Sequence, residues 1–187
     1  MHLLSTWKFP TSTMAKSESF FIRGTVSPDD DNTFVQSEID LGSFVNLGTK
    51  NATILRIHNI AVQLAADTSD RFPYVDANSS TGASYQVTTQ SQAAMVPLDD
   101  RSVVASGMVL VRNPDSSAAV PAEAFENDHL PQDWTNGVLI GVDTLYLGAQ
   151  AGTAWAETSD LTWSIVMECT TETATQATAT ALALSQQ

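Results

Sequence analysis

Leu161-Thr162-Trp163-Ser164-Ile165-Val166-Met167-Glu168-Cys169-Thr170 is the stretch on which the fold turns. Successive side chains of a strand point to opposite faces, so Leu161, Trp163, Ile165, Met167 and Cys169 fall on one face. Thr162, Ser164, Val166, Glu168 and Thr170 fall on the other. This is the pattern of a half-buried strand with Trp163 and Cys169 turned inward.

Working outward, the same period recurs in short bursts set off by turn residues. Glu18 to Val26 reads as a strand that ends at Ser27-Pro28-Asp29-Asp30-Asp31-Asn32, where proline cannot donate to a ladder. Thr33 to Leu41 follows, with Phe44 and Val45 continuing it past Gly42. Thr53 to Leu64 is the longest candidate. Its apolar residues change face near His58-Asn59, which predicts a central strand with a bulge there. A polar loop is expected over Ala65 to Ala83, then strands at Tyr85 to Thr89 and Ser102 to Val111. Arg112 to Asn136, with Pro114, Pro121 and Pro131, reads as irregular with a helical turn around Ala122 to Asn127. Val138 to Ile140 and Thr144 to Leu147 are further short strands.

The sum is an all-β chain of about eight strands with two long loops, best matched by an eight-stranded jelly-roll sandwich. An immunoglobulin-like sandwich is the second choice; it expects a shorter chain and a Cys and Trp arrangement absent here. The expected organisation is an N-terminal extension over residues 1–17, a jelly-roll domain over 18–171 and a low-complexity tail over 172–187. Met14 is a second candidate initiation point, which leaves residues 1–13 little structural duty. The Ala- and Thr-rich tail suits an arm or short helix ordered on a neighbouring subunit, or disorder.

Charge sets the solvent and the partners. The 187 residues carry a formal charge of -13, from 21 acidic residues against 8 Lys and Arg. Asn113 to Gln187 holds no Lys or Arg at all. So one-signed a surface repels itself at low salt, whereas at about 1 M salt the Debye length is roughly 3 Å and the repulsion is muted. Asp outnumbering Glu, scarce Lys and abundant Ala and Thr resemble the proteins of extreme halophiles. Direct nucleic-acid binding is not expected, because phosphate neutralisation needs clustered bases and these are scattered singly. An anionic membrane surface is disfavoured for the same reason.

No catalytic motif is legible. Gly82-Ala83-Ser84 lacks the second glycine of a nucleophile elbow. His2, His58 and His129 lie apart from one another and from Cys169, so no zinc set forms. The chain is therefore not expected to be an enzyme or to need a cofactor, structural Na⁺ or Ca²⁺ excepted. Asp29, Asp30 and Asp31 offer hard oxygen ligands for such an ion, without EF-hand spacing. Glu123, Glu126, Asp128 and Asp133 form a second acidic group. Asn51-Ala52-Thr53 and Asn78-Ser79-Ser80 fit the N-glycosylation pattern.

Interface candidates are Trp134 and Trp155, large rings in expected loops. Arg101 and Arg112 join them as bases able to meet the acidic second half of another copy. Cys169, the single cysteine, is either a core thiol or an intersubunit disulfide site, and its inward alternation favours the core.

Size, strand pattern and halophilic composition over Glu18 to Thr171 resemble the smaller major capsid protein of haloarchaeal icosahedral viruses with an internal membrane. That resemblance implies a single vertical jelly roll in the virion capsid. It also implies self-assembly with a second jelly-roll capsid protein into capsomers over the membrane. Only Lys8 and Lys16 stand where genome-binding capsid proteins carry a basic arm. The competing class is a secreted or cell-surface β-sandwich that binds carbohydrate or acts as an adhesin.

Overall fold

The computed structural model describes residues 16–66, 71–119, 123–156 and 161–187, with side chains left undescribed at 123–125. The expectations for residues 1–13 lie outside that range. Nine strands and one α-helix are present among the described residues: β1 Phe20–Val26, β2 Val35–Asp40, β3 Asn51–Ala66, β4 Ser79–Thr88, β5 Val103–Asn113, β6 Glu123–His129, β7 Val138–Ile140, β8 Thr144–Ala151, β9 Leu161–Thr175 and α1 Gln176–Ser185.

Two antiparallel sheets face each other, in the orders β1-β9-β3-β7 and β2-β8-β4-β5-β6. The chain crosses between sheets at every connection except the β4-β5 and β5-β6 hairpins. With β6 set aside, eight strands are wound as two interlocked Greek keys. The fold is a jelly roll. The ninth strand widens the second sheet by one position.

β9, the strand read first, is the spine of its sheet. It pairs with β1 from Phe20↔Cys169 to Val26↔Trp163 and with β3 along its whole length, Asn51↔Thr175 to Ala66↔Leu161. Trp163, Ile165, Met167 and Cys169 point into the sandwich, and the inward faces of β4 and β8 supply Tyr85, Val87, Leu145 and Leu147 from the other side. Tyr85 meets Trp163 across the core, ring centroids 4.8 Å apart. A buried aromatic pair of this kind adds about 0.5–1.5 kcal/mol beyond the area it hides.

The predicted bulge exists: β3 pairs Ile57 with Cys169 and Asn59 with Glu168, leaving His58 as the extra residue. That single insertion moves the apolar set, so Ile57 and Ile60 both face inward and are fully buried. β7 pairs only with Leu55–Ile57, before the bulge. It is reached through Gly137, whose φ of 61° suits glycine and whose Cβ would collide with the Ile57 carbonyl.

Three expectations fail. Residues 123–129 form β6 rather than a helical turn: seven residues of good helix formers are taken by the open edge of β5, register Ser106↔His129 to Arg112↔Glu123. Ladder bonds to an existing edge outweigh a weak helical propensity. Phe44 and Val45 do not extend β2, because a turn at Leu41 sends the chain to the other sheet, Val45 N–H donating to Leu41. The boundary at 171 falls inside β9, which runs to Thr175. α1 then packs on its own barrel, with Thr175 Oγ1 accepting from Thr178 N–H as the N-cap.

Three glutamine amides complete backbone pairing where no strand is available. Gln132, in the 3-10 turn Pro131–Asp133, accepts from Ile60 N–H at 3.1 Å and donates to Ile60 C=O at 3.1 Å. Gln86 does the same for Val96, and Gln186 accepts from Gly141 N–H and donates to Leu139 C=O. A primary amide carries one acceptor and two donors and so copies a peptide group.

Candidate functional site

The strongest ionic arrangement lies where the two ends of the chain meet on the outer face of the β1-β9-β3-β7 sheet. Glu172 on β9 is 1% exposed. Arg56 on β3 holds it through both oxygens, Nε to Oε1 at 2.6 Å and Nη2 to Oε2 at 3.1 Å, while its Nη1 donates to the Asn136 carbonyl. Lys16 Nζ reaches Oε1 at 3.0 Å from the solvent side. The Arg56 guanidinium, with help from Lys16, pulls the Glu172 carboxyl down from 4.5 to about 2 against the opposing effect of burial. Sequence reading treats Glu172 as the last residue before a tail. Nothing local marks it, because its partners stand 116 and 156 positions away in the chain.

The residues singled out from sequence are scattered. Asp29, Asp30 and Asp31 sit in an exposed turn where Asp31 Oδ1 accepts from Thr33 N–H at 2.8 Å. That bond holds the Asp31 carboxyl below its ordinary value. No group of three metal-ligating residues forms among the described residues. His58 shares a hydrogen bond with Thr170 Oγ1 at 2.9 Å on the sheet's outer face. His129 is exposed at the end of β6.

Trp155 is not a surface anchor. It is 3% exposed, bridges to Val75 and meets the Phe72 ring edge-on at 6.4 Å, so it closes one end of the core. Trp134, by contrast, is 65% exposed beside the 3-10 turn. Arg101 and Arg112 are exposed, Arg112 at the outer end of β5. Cys169 is fully buried, and burial pushes its thiol up to about 12. A thiol so placed stays protonated and out of reach of a neighbour.

Sequence reading missed the exposed apolar residues Phe21 on β1 and Met108 and Leu110 on β5. Met108 and Leu110 are two apart on one strand, so they stand side by side on the outer wall of the second sheet. Their neighbours on that wall include Gly82, Ser84 and Ser106, which carry no charge. The period-2 pattern did contain the signal: both faces of Ser102 to Val111 are apolar, which either a central position or an exposed wall explains.

No protein-family model and no curated protein matches the chain. Among solved structures, a chain from Desmodium yellow mottle tymovirus aligns over 92% of this chain and 95% of its own, at 11% identity and a TM-score of 0.40. The VP1 protein of Trichodysplasia spinulosa-associated polyomavirus, in complex with GM1 oligosaccharide, aligns over 94% and 100% at 10% identity and 0.36. Merkel cell polyomavirus VP1, in complex with GD1a oligosaccharide, aligns over 93% and 100% at 7% identity and 0.37. The fold assignment rests on the strand order itself.

Proposed function

We propose that this protein is a structural subunit of a viral capsid, located in the virion, and that it acts by association rather than catalysis. The observation that carries the reading is the complete jelly roll with uncharged outer wall at β4 and β5, bearing exposed Met108 and Leu110, on a chain of net charge -13. A wall without acidic groups is where two such subunits approach with least repulsion. In the finer form of the proposal, the halophile-like composition places the virus in a salt-rich host. There a second jelly-roll protein completes capsomers of an icosahedral shell over an internal membrane. Salt or bound cations screen the acidic surfaces that face each other.

The test is size-resolved light scattering with negative-stain microscopy, on the chain alone and co-expressed with shell proteins of the same virus, in molar and in salt-free buffer. Capsomer-sized objects at molar salt that dissociate on dilution support the proposal. A monomer under every condition refutes it.

A further inference from the structure

The acidic group on β6 faces inward, over an aromatic opening. Register fixes this: Tyr85 pairs with Gly107 and Gly107 with Asp128, while the inward-facing Val109 pairs with Glu126. Asp128 and Glu126 therefore share the inner face of the last strand of the second sheet, about 6.6 Å apart along it at ~3.3 Å per residue. Opposite them β3 has passed the end of β7, so the two sheets part. The gap is an opening of about 290 Å³ lined by Val62, Leu64, Phe72 and Trp163 together with Glu126 and Asp128. No Lys or Arg lines it among the described residues, and neither carboxylate has an ion-pair partner there.

A second, independent feature points into the same place. Tyr85 is fully buried, yet its hydroxyl has no hydrogen-bond partner. It is turned toward the carboxylates: a Cβ at Gly107 would collide with Asp128 Oδ1 and lie 2.5 Å from Tyr85 Cε1 and 2.8 Å from Cζ, the carbon that bears the hydroxyl. Burial, then the Asp128, Asp133 and Glu126 charges, raise the Tyr85 phenol well above its ordinary value, so it stays neutral beside them. A fully buried phenol left without a partner costs on the order of 1–3 kcal/mol. The glycine is what lets carboxylate and phenol crowd together.

The opening thus offers two unpaired carboxylates on one wall and apolar and aromatic surface on the other. Two carboxylates two residues apart on a strand do not close around a bare metal ion, whose oxygen ligands sit at about 2.0–2.6 Å. They do suit a larger cation that donates to both while its hydrocarbon stem lies along Val62 and Leu64 and its charge faces a ring. We propose that this opening binds an alkylammonium or guanidinium group carried on an apolar stem. Two sources share that chemistry: a Lys or Arg side chain of an adjacent copy, and a free amine. Arg23, Lys50 and Arg101 are exposed and form no ion pair among the described residues, which makes an adjacent copy a ready supplier. That arm rests on the assembly reading above; the binding itself does not.

The experiment titrates the full chain with N-acetylargininamide and with butylammonium, following NMR shifts of the indole N–H groups, at two salt concentrations. A neutral amide of the same size is the control. The comparison variant is the double substitution Glu126→Gln with Asp128→Asn, both exposed positions, so folding is retained and circular dichroism checks it. Saturable binding by the wild type, weakened by about tenfold or more in the variant and absent for the neutral amide, supports the proposal. Loss of self-association in the variant then assigns the cation to a neighbouring copy; unchanged self-association assigns it to a free amine. No saturable binding by the wild type, or equal binding by the variant, overturns the proposal whether or not the chain assembles.

Discussion

Replacing Glu172 by Gln removes one charge from the centre of the Arg56 and Lys16 cluster while keeping shape and volume. Its carboxyl sits at about 2 in the folded chain against 4.5 as the reference value. Each pH unit between the two corresponds to about 1.4 kcal/mol, so the ionised group contributes about 3 kcal/mol to stability at neutral pH. Arg56, 14% exposed, supplies most of this, whereas Lys16, 54% exposed, is screened and supplies little. The folded value is the lower one, so the contribution is whole above pH 4.5 and fades as pH falls toward 2. Denaturant unfolding of wild type and Glu172→Gln, followed by tryptophan fluorescence at molar salt, reads the difference. The variant should lose about 3 kcal/mol at pH 7, with the two curves converging as pH approaches 2. High salt should leave the gap largely in place, because the pair is buried while surface repulsion is screened. A loss below about 1 kcal/mol at pH 7, or a gap independent of pH, would refute the assignment of Glu172 as the ionic keystone.

Other outcomes follow from single contacts. Gly107→Ala should destabilise by about 1–3 kcal/mol or peel β6 away, because the new methyl meets Asp128 and the Tyr85 ring, while Gly48→Ala, whose nearest neighbour is Asn46 Oδ1 at 3.5 Å, should be close to neutral; thermal melts of the two compare them directly. Gln132→Ala should expose the Ile60 N–H and C=O at a cost of about 1–2 kcal/mol, visible as faster hydrogen exchange at Ile60 with β1 unaffected. Cys169 should resist alkylation at pH 8 in the native chain and react on unfolding, and oxidation should yield no disulfide dimer; rapid native labelling would place the thiol outside the core.

Much of the barrel is legible in the chain. Leu161 to Thr170, the bulge at His58 and the strands at Val138 and Thr144 each announce themselves by a two-residue period that depends only on neighbours in sequence. β6 does not, since Glu123 to His129 has no apolar alternation and becomes a strand only because β5 offers an edge. Trp134 and Trp155 look alike as sequence, both large rings in turn-rich surroundings. Pairing of Trp155 with Val75 buries one, and the bend after Pro131 leaves the other in solvent.

Composition and period alone determine the all-β class, the two-faced strands, the net charge and the halophilic solvent, because each is a sum over the chain or a property of adjacent residues. Tertiary structure alone decides that Glu172 is clamped by Arg56, that glutamine amides stand in for missing strands, and that Asp128 meets Tyr85 above Gly107. Each of these depends on which distant strands become neighbours and in which register, and a shift of one residue would turn every one of those side chains to the opposite face.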